Sequence, residues 1–109
     1  MILAFRFYDH KNKKMVYSDP TEAKDVFFHK WEITPKASPI VISTGLKDVN
    51  GVEVFKDDYV KAINRLHEDE RVEKVTFLNG CFMFGNWNAH EFFNRHTHIE
   101  VVGNVFESK

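Results

Sequence analysis

Three histidines near the C-terminal end of the sequence, His90, His96 and His98, come closest to a metal-binding pattern. Neutral imidazole nitrogens bind zinc, and three of them with an open fourth position would activate water for hydrolysis. In an extended segment His96 and His98 would share one face, because side chains alternate along a strand. Neither spaced cysteines nor a His-Glu-x-x-His run accompanies them. We therefore expect exposed or hydrogen-bonded histidines without a metal, and keep a metal-dependent hydrolase as an alternative.

The other reactive residue types also lack the neighbours that catalysis requires. Cys81 is followed by Phe82–Phe84, and this apolar setting predicts an inert, buried thiol. The acidic residues 68–70 are typical of a charged turn rather than of a carboxylate pair for acid–base catalysis. The run Thr44–Gly51 lacks the glycine spacing and the Lys-Ser/Thr ending of a phosphate-binding loop. No catalytic residue and no cofactor are expected, so the sequence favours a protein that is not an enzyme.

Length and composition limit the remaining classes. The chain has 109 residues, the size of one ordinary domain, and 43% of them are hydrophobic, which is enough for a packed core. Fifteen basic and sixteen acidic residues give a net charge of -1, so no overall basic field attracts nucleic acid or an anionic membrane. A single cysteine allows no internal disulfide, and no leader or membrane span is recognisable. We expect a cytoplasmic protein with no membrane contact.

Short apolar runs separated by turn residues cover most of the chain, a pattern typical of an all-β sandwich or barrel. Asn-Gly pairs at residues 50–51 and 79–80 predict tight turns, since both residue types accept positive φ. The predicted N-terminal hairpin comprises Phe5–Asp9 and Met15–Tyr17. Further strands are predicted at Ile40–Ile42, Val52–Phe55, Tyr59–Arg65, Val72–Leu78, Cys81–Phe84 and Ile99–Phe106.

Two helix starts interrupt this β pattern. Asp19–Glu22 combines a capping Asp, a Pro at the first helical position and a Glu three residues after the cap. After this helix start, the alternation typical of a strand occurs at Phe27, His29, Trp31 and Ile33. We therefore predict one or two helical turns followed by an extended segment. Asn88 predicts the second start, a single short helix that Glu91 helps to cap and that ends near Arg95.

The run Ser43–Phe55 resembles the central motif of the YopX family of small phage and prophage proteins, in which an aromatic-Thr-Gly-Leu-Lys-Asp-x-Asn-Gly run precedes a Glu-aromatic step. Phe5–Asp9 resembles the family's opening Phe-Arg-x-aromatic-Asp, and Glu100–Glu107 resembles its closing Glu-Val-Ile-Gly-Asn-Ile-Tyr-Glu. The family's usual Gly-Asp strand start is Asp57-Asp58 here, so Asp57 must accept a backbone conformation suited to glycine.

The resemblance implies a mainly β fold, a small SH3-like β-barrel with an N-terminal β-hairpin extension and one or two short helices. It implies one domain over residues 1–109, with a hairpin and variable segment at 1–39 and the barrel at 40–109. It carries no established activity. We interpret the polar and glycine positions of its motifs as a structural turn motif, in which Asp and Asn side chains bond nearby backbone N–H groups. This motif comprises Thr44, Gly45, Leu46, Asp48, Asn50, Gly51, Asp58, Gly103 and Asn104.

The aromatic residues exceed what a small barrel can bury: eleven Phe, three Tyr and two Trp. Three of them lie outside the expected barrel, at Phe27, Phe28 and Trp31. They form either a second small core or a candidate interaction surface. The leading functional hypothesis is a protein–protein interaction module that self-associates or binds an unknown host or phage protein. Nucleic-acid binding is the alternative, supported by lysines near aromatic residues at Lys11, Lys13, Lys14, Lys24 and Lys30.

Overall fold

The computed structural model describes residues 4–107, which form two antiparallel sheets and two short helices. The mainly β prediction is confirmed. The first sheet has the order β2-β1-β3-β4, with β1 at Phe5–Asp9, β2 at Lys14–Tyr17, β3 at Val41–Lys47 and β4 at Glu53–Phe55. The second has the order β8-β7-β6-β5-β9, with β5 at Asp58–Asn64, β6 at Glu70–Leu78, β7 at Cys81–Phe84, β8 at Trp87–Asn88 and β9 at His96–Asn104.

The predicted N-terminal hairpin is confirmed, and it belongs to the first sheet. The outer strand β2 pairs with β1, and β1 pairs with β3 through Phe5 opposite Ile42. In the loop, Asp9 Oδ1 accepts the N–H groups of Lys11 at 3.0 Å and Asn12 at 3.1 Å, and the Asn12 side chain donates to Asp9 Oδ2 at 2.8 Å. These bonds, above all the one from the Asn12 side chain, hold the pKa of Asp9 below its ordinary value.

The first helix, α1, comprises Lys24–Ile33, so the predicted start at Asp19 and the extended segment after two turns are wrong. Asp19 Oδ1 instead accepts the N–H of Thr21 at 2.8 Å and its hydroxyl at 2.7 Å, which makes a local turn. The helix continues to Ile33 because Phe27 packs against β1, with ring centroids 6.2 Å from Phe5 and 5.5 Å from Phe7. Tertiary packing therefore decides between the helical and the alternating pattern in this segment.

The second sheet curls around the main hydrophobic core, which consists of Val54, Val60, Ala62, Val75, Phe84, Phe92 and Ile99. Helix α2, Ala89–Arg95, covers it, and the Phe92 ring stacks on Phe84 at 4.9 Å. The Asn88 part of the predicted cap is confirmed: Asn88 Oδ1 accepts the N–H of Glu91 at 2.8 Å, and the Glu91 carboxylate accepts a hydrogen bond from Arg95 Nε at 2.9 Å. The predicted helix end at Arg95 is also confirmed, since β9 begins at the next residue.

The strand pairing puts β3 and β4 in one sheet with the N-terminal hairpin and β5 to β9 in the other. The SH3-like detail of the fold, and the division of the chain at residue 39, stay predictions. Within the described residues 4–107, neither helix has the length and apolar character needed to cross a membrane.

Candidate functional site

An open cleft of about 830 Å³ lies between the edges of the two sheets. Its walls come from three parts of the chain that are far apart in sequence. They are the N-terminal hairpin, the hairpin of β3 and β4 at residues 41–55, which we call the β3–β4 arm, and the start of β5 with the end of β9. The rings of Phe5 and Tyr17 contribute apolar surface, and Val52 and Val101 add to it. Clefts with apolar walls and a few polar groups are where proteins most often bind ligands, so this cleft is the candidate site.

A buried ion pair forms part of the cleft lining. Arg6 Nη2 donates to Asp58 Oδ1 at 2.7 Å, and the two side chains are 3% and 1% exposed. Asp58 Oδ2 accepts the N–H of Phe55 at 2.8 Å, and the Arg6 guanidinium lies 4.5 Å from the centroid of the Phe55 ring. Strand β1 places Arg6, and the first residue of β5 is Asp58, so this pair joins the two sheets.

The environment of Asp58 acts on its ionisation in two opposite directions. Burial raises the pKa of Asp58 above its ordinary value of 3.8, since a buried carboxylate loses its hydration. The N–H of Phe55 and the positive charge of Arg6 lower the pKa and offset part of this effect. The ion pair at 2.7 Å therefore compensates a costly buried carboxylate, and Arg6 is the group that makes its burial tolerable.

The residue before Asp58 has a backbone conformation suited to glycine. Asp57 has φ of 72°, in the left-handed region. Its N–H donates to Val75 O at 2.8 Å, and its carbonyl accepts the N–H of Val105 at 3.0 Å. Lys56 Nζ lies 3.2 Å from Asp57 Oδ2. These main-chain bonds hold the strained turn in place and so position Asp58.

The side chain of Asp48 connects the β3–β4 arm to the second sheet. Its Oδ1 accepts the N–H groups of Asn50 at 2.9 Å and Val52 at 2.8 Å, and its Oδ2 accepts the N–H of Val101 on β9 at 2.9 Å. The N–H of Val49 donates to Ile99 O at 2.8 Å, so the arm covers part of the outer edge of β9. Gly51 has φ of 80°, which the turn requires.

The remaining residues of the predicted turn motif lie beside the same cleft or its supports. Thr44 Oγ1 donates to Val54 O at 2.7 Å, and a bulge in β3 contains Gly45 and Leu46. At the end of β9, Asn104 Oδ1 accepts the N–H groups of Phe106 and Glu107 at 3.0 and 2.9 Å. Gly45, Asp58, Gly103 and Asn104 line the cleft itself. A purely structural role for these residues stays a prediction, because they also bound an open site.

Charged groups near the cleft opening are arranged unevenly. Glu53 accepts a hydrogen bond from the Ser43 hydroxyl, and Glu107 Oε1 accepts one from Asn104 Nδ2 at 2.7 Å. Lys47 is the remaining charged residue of the lining besides the Arg6–Asp58 pair. Since Arg6 and Asp58 neutralise each other, two carboxylates face one ammonium group, and the cleft carries a net charge of -1.

The three histidines lie in different environments. His96 is buried, with its ring stacked on Phe92 at 4.2 Å and its Nδ1 3.0 Å from Phe92 O. His90 Nε2 is 3.1 Å from the Asn94 amide nitrogen. His98 has φ of 54°, so the regular alternation that would align it with His96 is broken. Among residues 4–107, no three His, Cys, Asp or Glu side chains are placed to hold a metal ion.

The prediction of a buried Cys81 is wrong: the thiol is exposed. Residue 81 follows the Asn79-Gly80 turn directly, and both turn residues have positive φ, 52° and 84°. The apolar neighbours that suggested burial are real, but the hairpin carries this residue beyond the core. Cys81 Sγ lies 3.5 Å from Leu78 O and 3.7 Å from Met83 Sδ.

The candidate interaction surface on α1 divides into buried and exposed parts. Phe27 is 3% exposed, so its ring is not available to a partner. Trp31 is half-buried, and its Nε1 donates to Ser38 O at 2.8 Å. Phe28 is partly exposed and lies 5.6 Å from the Phe5 ring. Phe27 thus forms a second small core with β1, and any contact through this segment would use Phe28 and Trp31.

Sequence reasoning named Asp58 but not its partner Arg6, and it named Gly45 but not Glu53. Arg6 stands between Phe5 and Phe7 in a strand, and such alternation is typical of a charge on the solvent face, so no local signal marks Arg6 as buried. The partner was not identifiable, since Asp58 is 52 residues away along the chain. Only the packing of β1 against the start of β5 reveals the pair.

Residues 4–109 match the sequence model of the family described as YopX protein, essentially over the whole chain. The chain belongs to the YopX family. None of the curated proteins compared with it shows significant similarity. The three segments that carry the YopX likeness contribute Arg6, Glu53, Gly103 and Asn104 to the cleft, and Asp58 follows the central segment. The YopX motifs are therefore separate in sequence and contiguous in space.

Proposed function

We propose that this YopX protein is a non-enzymatic binding module that holds a segment of another protein in the cleft between its sheets. One observation carries the proposal. The three motifs of the family, spread from residue 5 to residue 107, meet around a single open cleft. Segments that are far apart in sequence and line one concave surface form the arrangement that a ligand-binding site requires.

The lining defines the chemistry of the partner segment. Phe5 and Tyr17 favour an apolar or aromatic side chain, since such rings pack well against each other. The carboxylates of Glu53 and Glu107 favour a Lys or Arg next to it. We therefore infer a partner segment in which a basic residue adjoins an apolar one.

The arrangement of the buried pair supports binding rather than catalysis. Asp58 uses both carboxylate oxygens, one for Arg6 and one for the N–H of Phe55. Arg6 Nη2 is engaged with Asp58 and with Lys56 O at 3.3 Å. A general acid or base needs a group that is within reach of a substrate proton, and these groups are committed to each other. Their role in the proposal is to hold the cleft walls in place.

A random dodecapeptide display library, selected on immobilised protein, tests the proposal. Selected peptides are expected to share a basic residue next to an apolar one. Their affinity is measured by calorimetry for the wild type, Val52→Trp and Val49→Trp. Both valines are exposed residues of the same arm, but only Val52 lines the cleft. Val52→Trp is expected to weaken binding at least about 10-fold, which corresponds to about 1.4 kcal/mol, and Val49→Trp to leave it unchanged. Equal affinity for both variants, or no selected peptide, would refute the cleft as a protein-binding site.

A further inference from the structure

The end of the β6–β7 hairpin, residues 76–83, lies outside the cleft lining and exposes apolar side chains next to its turn, whereas Phe82 packs partly against the core. Phe77 is 49% exposed and Leu78 58% exposed, and Cys81 beside them is exposed as well. The Phe77 ring lies 4.9 Å from the Phe82 ring across the hairpin. Apolar side chains exposed together in this way mark contact surfaces more often than isolated ones do. We call residues 76–83 the hairpin tip.

The main chain of the hairpin tip has open edges. On the β5 side, the strand pairing of β6 ends at Lys74, opposite Tyr59, and the N–H of Asp57 still donates to Val75 O at 2.8 Å, so the open part of this edge begins after Val75. On the other side, Leu78 pairs with Cys81 and Phe77 with Phe82. In a two-residue hairpin the pair next to the turn is hydrogen-bonded and the following pair is not. The N–H and C=O of Phe77 therefore point away from β7, toward the side where β5 has ended.

Two outer strand edges of this fold, those of β9 and β2, have features that discourage pairing with a further strand. The Asp48 side chain and the N–H of Val49 cover part of the outer edge of β9. The outer strand β2 begins with Lys14, and lysine on an edge strand discourages pairing with another chain. From Val75 to Ala89 the sequence has no Asp, Glu, Lys or Arg, although 28% of the whole chain is charged. An open, uncharged edge with exposed aromatic rings is suited to pairing with a further strand.

We propose that the hairpin tip is a self-association surface on which two copies of this chain pair antiparallel through Phe77. Phe77 presents one donor and one acceptor on the same edge, which is the arrangement that a twofold antiparallel pair requires of both copies. Because the hairpin tip has no charged side chain, two identical tips meet without electrostatic repulsion. A charged partner would find no side chain of opposite charge on the tip. In this pair Phe77 faces Phe77 of the second copy, and Thr76 faces its Leu78. The surface is distinct from the cleft and from α1.

Sedimentation equilibrium across roughly 10 µM to 1 mM protein tests the association, because small interfaces give weak, transient pairs. The average mass of the wild type is expected to rise from 12.8 kDa toward twice that value. Phe77→Lys places like charges opposite each other and is expected to weaken association at least about 10-fold. Leu66→Lys, at an exposed apolar residue away from the hairpin tip, is the matched control and is expected to associate as the wild type does.

Amide hydrogen exchange of the wild type gives a second readout that does not depend on a variant's folding. The amide of Phe77 is expected to exchange more slowly at 1 mM than at 10 µM, while that of Cys81, bonded within the hairpin, is expected to stay the same. A strict monomer at 1 mM, association that survives Phe77→Lys, or a Phe77 amide with the same exchange rate at both concentrations would each overturn the proposal. Since the cleft is not involved, peptide binding by Phe77→Lys separates this test from that of the proposed function.

Discussion

Replacing Arg6 by Met tests whether the buried ion pair holds the two sheets together. Met fills a similar length of apolar space but leaves the Asp58 carboxylate, 1% exposed, with only the N–H of Phe55. Removing one partner of a buried pair costs about 3–5 kcal/mol, because the other charge remains buried without compensation. For a domain near 100 residues, each kcal/mol lowers Tm by about 4 °C. We therefore expect Arg6→Met to lower Tm by about 12–20 °C at pH 7.

The pH dependence of this loss identifies its cause. In Arg6→Met the positive charge that lowers the pKa of Asp58 is gone, so burial raises that pKa further above 3.8. A carboxyl whose pKa is raised by folding adds stability below its ordinary pKa, and this contribution is lost as the pH rises through the raised value. The difference in the free energy of unfolding between Arg6→Met and the wild type is therefore expected to be largest near pH 7 and to become smaller as the pH falls toward 4.

Urea unfolding followed by the fluorescence of Trp31 and Trp87, at several pH values between 4 and 7, measures both effects. The double variant Arg6→Met/Asp58→Asn removes both charges and keeps an oxygen for the N–H of Phe55. It is expected to recover a large part of the lost stability, since uncharged replacements of a buried pair are often tolerated. If Arg6→Met loses less than about 1 kcal/mol of unfolding free energy, or if this loss does not change with pH, the Arg6–Asp58 pair does not hold the two sheets together as argued.

Three further predictions concern single positions. Asp57→Gly is expected to be more stable than Asp57→Ala by about 1 kcal/mol in urea unfolding, because only glycine accepts a φ of 72° without strain; equal stability would contradict the strained turn. Asn88→Ala is expected to lower stability by about 1 kcal/mol through loss of the α2 cap, whereas Asn88→Asp, which keeps the acceptor oxygen, should change it little. The thiol of Cys81 is expected to react completely with a disulfide reagent in native buffer, and a requirement for denaturant would show that the residue is buried.

Local signals predicted the elements that depend on neighbouring residues. The Asn79-Gly80 turn formed as expected, since its two positive φ angles need only these residue types. The Asn88 cap formed because the N–H of Glu91 lies within reach three residues on. The segment after Asp19 was not predictable in the same way. The Asp19 side chain accepts a hydrogen bond from the N–H of Thr21 instead of capping a helix. The helix boundary depends on Phe27 packing against β1.

The candidate site was less predictable than the strands. The motif residues were recognisable, and Asp58 was among them, but their convergence on one cleft follows from how β1, β3, β5 and β9 are brought together. The exposure of Cys81 was also beyond local reasoning. Apolar neighbours indicate burial only where the chain stays against the core, and this hairpin extends past it.

The sequence by itself determined the mainly β class, the family, the Asn79-Gly80 turn and the Asn88 cap of α2. Each of these depends on residue type and on spacing of a few residues, because turns and caps are made by hydrogen bonds between near neighbours. Only the tertiary structure decided that Arg6 pairs with Asp58, that Phe27 lies under β1, and that the edge at Phe77 stays open. These features join or separate residues far apart in the chain, and such distances are set by packing of whole strands rather than by local preference.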